Sequence, residues 1–466
     1  MTADIEACKA ALAHLEMDVN PVSVKAKSRD FFWYSPVLKA RLDHVSADFV
    51  VAPRTEAEVI EVLRTCYRFG VPVTTRGTGT GNYGQAMPLA GGCVLHLHRM
   101  NAVRAIHPGR VVVEPGCLLK DLDAACNETG QEIRMFSSTW ATATIGGFVA
   151  GGSGGVGSVR WGSLRDLGNI LRLRVVTMEE EPRVLEFTGE ELHRVSHAYG
   201  TNGIITEIEI PLAPAYDWVG MFVALDDFPA AMAYAYGLAG EDGILIKLAT
   251  VFEAPIAQDY FQRVAPHVAP GQGVVALMVA PHALPGFQTF TARHPGARVI
   301  YRSDSSAWER DPGHVFEYAW NHTTLRALKV DPSITYLQVG YGNEDPMALV
   351  EQVRARFSPE VLQHLEVTRM GGKVALGGLS LVKFTTEARL DEIVREHEAM
   401  GAMVFNPHRY TLEEGGRQAV DDRQLAFKRE ADPKGLLNPG KMIAWDDPDW
   451  RYDRMYAWPG LMRAAE

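Results

Sequence analysis

The chain has no CxxC pair, no unbroken apolar run of membrane length, no block of basic residues and no basic region at its N-terminus. Its five cysteines (Cys8, Cys66, Cys93, Cys117 and Cys126) are odd in number and scattered. That excludes a disulfide framework or a zinc site and leaves reduced thiols filling core volume. Met1-Thr2-Ala3-Asp4-Ile5-Glu6 carries acids where an export signal needs cations. No stretch reaches the roughly 20 apolar residues of a membrane span. A net charge of −11, from 46 basic and 57 acidic residues, repels nucleic acid and anionic membrane. The expectation is a cytoplasmic protein with neither as a partner. At 466 residues, 47% hydrophobic and 22% charged, the chain has room for two or three ordinary globular domains.

Acidic residues are also missing from Arg76-Gly77-Thr78-Gly79-Thr80-Gly81-Asn82-Tyr83-Gly84, which follows the strand-like run Val71-Pro72-Val73-Thr74-Thr75. A glycine loop without carboxylates can turn its backbone amides onto an anion, and a pyrophosphate suits it. Gly79-x-Gly81-x-x-Gly84 has the spacing of the Rossmann dinucleotide fingerprint. That fingerprint must open a helix, yet Pro88, Gly91 and Gly92 break the run that follows. It also needs an acid about 20 positions on, where this chain has Met100, Asn101, Ala102 and Val103. A Rossmann site is excluded.

Upstream, Phe49–Ala52 reads as a strand, and Thr55 with Glu58 forms a capping box for a helix that Gly70 stops. Downstream, strands are expected at 93–98, 110–114, 170–177 and 204–210, and a helix at 119–128. The glycine-dense run 144–157 includes Ile145, Phe148 and Val149, so it is too apolar for a linker. It predicts neither helix nor strand but backbone pressed against something flat. Pro211 and Pro214 mark a domain edge. Residues 215–400 alternate apolar strands (244–251, 274–279, 334–339) with helices (346–357, 387–400), which suits a mixed α+β domain.

Several ordered blocks together resemble the vanillyl-alcohol-oxidase or PCMH-type FAD-binding family. The chain is similar in particular to FAD-linked dehydrogenases related to glycolate oxidase and D-lactate dehydrogenase. The blocks are Pro53-Arg54-Thr55-Glu56, the loop at 76–84, Val113-Glu114-Pro115-Gly116, Ser137-Ser138, Thr144-Ile145-Gly146-Gly147, Gly154-Gly155-Val156 and Gly203-Ile204-Ile205-Thr206. The last is Asp432-Pro433-Lys434-Gly435-Leu436-Leu437-Asn438-Pro439-Gly440-Lys441. The resemblance implies an α+β fold with a two-part FAD-binding domain over 1–213. A substrate or cap domain with an antiparallel sheet would follow over 214–404, and a segment at 405–466 would return to the first domain. It implies FAD contacts from Arg76, Gly77, Thr78, Gly79, Thr80 and Gly81, then from Ser138, Thr144, Ile145, Gly147, Gly151, Gly154 and Gly157, and from Ile205 and Asn438. Relatives that bind flavin covalently use a histidine where this chain has Thr80, and no histidine lies in 76–95. Non-covalent FAD is expected.

The related dehydrogenases hold a metal with H-V-G-D-G-N-x-H, but this chain reads Gln338-Val339-Gly340-Tyr341-Gly342-Asn343-Glu344-Asp345. Both histidines are gone, so no catalytic metal is expected. His408 is the candidate base, with Arg409 to hold a carboxylate or phenolate and Tyr410 to orient a hydroxyl. A second candidate wall is Trp320-Asn321-His322, where Asn321 and His322 supply polar groups beside aromatics. The expected reaction is oxidation of a hydroxyl-bearing small molecule, a 2-hydroxy acid or alcohol. A para-substituted phenol or aromatic alcohol and a non-catalytic electron-relay subunit are the alternatives. The acceptor is left open between oxygen, a quinone and an electron-transfer protein, and a homodimer is left open as well.

Overall fold

Thr55 starts its helix as the capping signal predicts. Its hydroxyl accepts from Glu58 N–H at 3.2 Å, the helix runs Glu56–Phe69, and Gly70 closes it at φ 66°. The computed structural model describes residues 3–342, 344–417 and 419–451; Asn343, in the metal-motif frame, lies outside them. The helix is followed by Val73–Arg76, an edge strand of a small sheet ordered Met17–Asp18, Phe49–Val51, Cys93–His96, Val73–Arg76. The last three are parallel, so Val73–Arg76 releases the glycine loop at its carboxyl end.

A second, antiparallel sheet runs Val103–His107, Arg110–Val113, Ile204–Pro214, Arg172–Val176, Val184–Thr188. Here the strand continues through Pro211, which pairs with Arg110, and does not break at it. A third sheet has eight antiparallel strands, with Ile246–Phe252, His364–Met370, Lys373–Gly378 and Gln338–Tyr341 adjacent in that order. The mixed α+β class with an antiparallel sheet in the second half is therefore observed. Apolar packing crosses the expected boundary at 213: one buried cluster joins Val111 and Ile208 to Phe222 and Phe252. The C-terminal segment reaches the first sheet, where Leu437 bridges Val73 and Asn438 N–H donates to Val73 O at 2.8 Å.

Two expectations fail locally. The glycine-dense run does form a helix, Ile145–Gly151, capped by the Thr144 hydroxyl, which accepts from Gly147 N–H at 3.2 Å. Glycine is needed there for close approach: a β-carbon on Gly146 would sit 2.5 Å from Pro115 Cβ and 2.7 Å from Pro115 O. Tertiary packing overrides propensity. The single strand expected at 334–339 is two strands, Ile334–Tyr336 and Gln338–Tyr341, in different sheets on either side of Leu337. All five cysteines are buried and unbridged. No helix of the described residues is long and apolar enough to cross a membrane.

Candidate active site

The glycine loop, the 137–154 segment, Ile205 and the face of the third sheet enclose one cleft of about 380 Å³. Along the loop, the amides of Thr78 to Asn82 donate to no acceptor among the described residues. Amides folded into a cleft need a partner, and a run of unpaired donors along a glycine loop suits the two charges of a pyrophosphate. Gly77 is packed so tightly on the opposite segment that a β-carbon would overlap the Thr144 hydroxyl. This donor set fits FAD phosphates.

Other residues fix the loop from behind. The Arg76 guanidinium packs against the loop backbone: it donates to the carbonyls of Gly77 (3.2 Å) and Thr78 (2.7 Å) and, behind the loop, to those of Lys27 and Arg29 (3.0 Å). Burial pushes its pKa down. The Thr78 hydroxyl donates to Thr142 O at 2.6 Å, and Gln85 Nε2 to Gly151 O at 3.0 Å, tying the two glycine segments together. Beneath them Asp30 accepts from the amides of Phe32 and Ala86, and Lys441 donates to Gly84 O. Burial raises the Asp30 carboxyl and lowers the Lys441 amine.

Of the residues expected at FAD, Arg76, Gly77, Thr78, Gly79, Thr80 and Gly81 line the cleft, as do Ser138, Thr144, Gly147, Gly151, Gly154 and Ile205. Ile145, Gly157 and Asn438 do not. Ile145 is the first helical residue and turns into the core. Gly157 lies at φ 103° against Arg134 O. Asn438 donates to the carbonyls of Gln85 (2.8 Å) and Tyr199 (2.7 Å), so it staples the loop from outside.

Four of the five residues expected to be catalytic lie outside the cleft. His408 is 2% exposed, with Nδ1 on Ser35 Oγ (2.7 Å) and Nε2 on Tyr336 O (3.0 Å), and it does not line the cleft. Arg409 is paired with Glu387 and Asp391. Tyr410 packs on a small apolar cluster with Lys441 over its ring. Neither reaches the cleft. His322 is also outside it, and burial, helped by Arg326 and Lys329, pushes its imidazole down to about 4. Only Asn321 of that set is a lining residue, and its Oδ1 is buried without a partner.

Burial likewise pushes His408 down to about 3 and His397 to about 4. An unfolded imidazole titrates near ~6.5, so the folded protein binds fewer protons below that pH. Their stability contribution is complete above ~6.5 and is lost as pH falls through the window toward 4 and 3. Urea unfolding at about pH 7.5 and about pH 5 should differ by roughly 1–2 kcal/mol for each ring. Equal stabilities at the two values would contradict neutral burial.

What the sequence reading missed is the third-sheet wall. Glu366, on strand His364–Met370, is 1% exposed yet lines the cleft. Its Oε1 accepts from Trp320 N–H at 2.5 Å and lies 3.0 Å from His364 Nε2; its Oε2 accepts from Thr250 at 2.6 Å. A carboxylate has about four acceptor positions, so one remains for a ligand. Trp320 holds φ 52° to aim its amide at Glu366, and Trp320 Nε1 is buried without a partner. Four non-glycine residues among those described have positive φ, and three of them (His197, Tyr199 and Trp320) line this cleft. Such strain costs about 1–3 kcal/mol per residue and is retained where surrounding structure enforces it. Arg369 also lines the cleft; it donates to three carbonyls and pairs with no carboxylate among the described residues.

Residues 47–185 match the family described as FAD binding domain. An uncharacterized FAD-linked oxidoreductase of Mycobacterium tuberculosis (strain H37Rv) is 33% identical over 198 residues, 40% of this chain and 42% of that protein. The chain thus spans less than half the length of that relative. Glycolate oxidase subunit GlcD of Bacillus subtilis is 26% identical over 441 residues, covering 86% of this chain and 89% of GlcD. A solved alkyldihydroxyacetonephosphate synthase shares the fold at TM-score 0.68, with 14% identity over 94% of this chain and 86% of that one. Residues 47–185 therefore form an FAD binding domain with FAD as its cofactor, the whole chain shares the fold of the solved synthase, and over most of its length it is similar to glycolate oxidase subunit GlcD.

Proposed function

We propose that the chain oxidises a small hydroxy acid, with Glu366 receiving the hydroxyl proton and Arg369 holding the substrate carboxylate. The observation that carries this reading is Glu366, a buried carboxylate in the same cleft as the unpaired loop amides. Likeness to glycolate oxidase subunit GlcD over most of both chains supports the substrate class. Bound FAD supplies a two-electron acceptor for the hydride. The protein's part is positional. Trp320 N–H, His364 and Thr250 fix the Glu366 carboxylate, so a substrate hydroxyl meets an acceptor that needs no reorientation. Asn321 Oδ1 and Trp320 Nε1 are left to pair with substrate polar groups. Arg369 lines the same cleft, its guanidinium held by the carbonyls of Val159, Gly372 and Ala239 with no carboxylate partner among the described residues. Nothing in this scheme uses His408.

A second reading has a specific observation behind it. Phe31, Tyr34, Tyr83, Phe405 and Trp320 all line the cleft, which suits an aromatic alcohol or para-substituted phenol. Turnover with an artificial electron acceptor separates the two. A panel of 2-hydroxy acids should support turnover that Arg369→Gln weakens chiefly through KM. Turnover confined to aromatic alcohols, indifferent to Arg369, would replace the first reading with the second.

A further inference from the structure

A second cavity, of about 300 Å³, opens on the third-sheet half of the chain, with none of its lining residues shared with the flavin cleft. Three cations line it: Arg263, Arg326 and Lys329. The Arg326 guanidinium lies 3.7 Å over the Tyr318 ring and uses Nε on Glu317 O at 2.9 Å. Its two terminal nitrogens have no partner among the described residues, and none of the three cations has a carboxylate partner there. Arg263 donates only to a carbonyl, that of Asp311, at 2.7 Å. Burial lowers Arg326, and the neighbouring Arg263 charge lowers it further, while Tyr318 and Glu317 act the other way. Glu317 is the single acid on the cavity wall.

Cations collected in a concavity repel one another, and a half-buried guanidinium without a counter-charge is costly. Stacking on Tyr318 presets the guanidinium plane, which leaves a two-pronged edge suited to a carboxylate or phosphate. The Tyr260 ring and the exposed Val330 supply an apolar wall, so the cavity is built for more than a bare ion.

We propose that this cavity is a binding site for a small organic anion, separate from the flavin cleft, gripped by Arg326 with Lys329 and Arg263. It stands at one end of helix Asn321–Val330, whose other end begins at the cleft residues Trp320 and Asn321.

Isothermal titration of the FAD-loaded protein tests it, with tricarballylate, a tricarboxylate without a hydroxyl, and then inorganic phosphate as probes. Tricarballylate should bind saturably at one site, and both Arg326→Gln and Lys329→Gln should weaken it at least about tenfold, one lost charge-assisted contact each. Arg369→Gln, in the cleft, should leave it unchanged. Lys329 is exposed and its side chain has no hydrogen bond or ion pair among the described residues, so Lys329→Gln stays informative even if the arginine variant fails to fold. Absence of tricarballylate binding, binding insensitive to Lys329→Gln, or binding abolished by Arg369→Gln would each overturn the site. Phosphate bound as tightly as tricarballylate would overturn the organic-anion class.

Discussion

Glu366→Gln should lower kcat by roughly 10²–10⁴-fold, the range for removing a general base, while FAD content stays at the wild-type level. The substitution keeps the side chain's shape and leaves one oxygen to accept from Trp320 N–H or Thr250, but an amide cannot take up the hydroxyl proton. It also removes the negative charge beside His364, which is 0% exposed, so some loss of stability accompanies it. The readouts separate these effects. A base role predicts a fall in kcat with flavin occupancy intact. A purely structural role predicts loss of flavin and a lowered unfolding midpoint, with normal turnover in the fraction that remains loaded. A variant with near-wild-type kcat would remove Glu366 from the chemistry.

Gly77→Ala should weaken FAD by about 100-fold or more, equivalent to roughly 3 kcal/mol. The added methyl cannot coexist with the Thr144 hydroxyl in the present geometry, so the loop must move off the opposite segment and carry its unpaired amides with it. The loop has little freedom to absorb this, because Arg76 braces it from one side and the Thr78–Thr142 hydrogen bond from the other. A companion change gives the prediction its edge. Thr144→Ala alone costs the helix Ile145–Gly151 its cap, about 1 kcal/mol of stability. Combined with Gly77→Ala it removes the clashing oxygen and should recover part of the lost affinity. Equilibrium dialysis of FAD against the single and double variants measures both. Simple additivity would mean the two residues do not share this contact.

Legibility from sequence followed the range of the interactions. The helix Glu56–Phe69 was readable because its cap, apolar face and terminal glycine are local. The glycine loop was readable because glycines without acids carry their meaning in a few consecutive residues, and most of the expected FAD positions do line the cleft. Helix Ile145–Gly151 was not readable, because the contact that demands glycine, Pro115 against Gly146, joins segments distant in sequence. His408 misled for a related reason: its family frame supplied a position near the site, but Ser35 and Tyr336, far away in the chain, claim both ring nitrogens. Glu366 had no signal at all. It sits between Leu365 and Val367 in a strand of mixed polarity, and only antiparallel pairing with Ile246–Phe252 brings it beside Thr250. Asp30 and Lys441 meet the glycine loop by the same kind of long-range closure.

Purified protein should be yellow, with one FAD per chain released on denaturation. The decisive measurement is an anaerobic titration of that protein with 2-hydroxy acids, followed by the oxidised-flavin absorbance band. Stoichiometric bleaching by a 2-hydroxy acid, slowed severely by Glu366→Gln, is the expected result. A loaded flavin that no hydroxy acid or alcohol bleaches, or one bleached at the wild-type rate in Glu366→Gln, would contradict the proposed chemistry. A colourless protein that takes up no FAD would contradict the cofactor assignment itself.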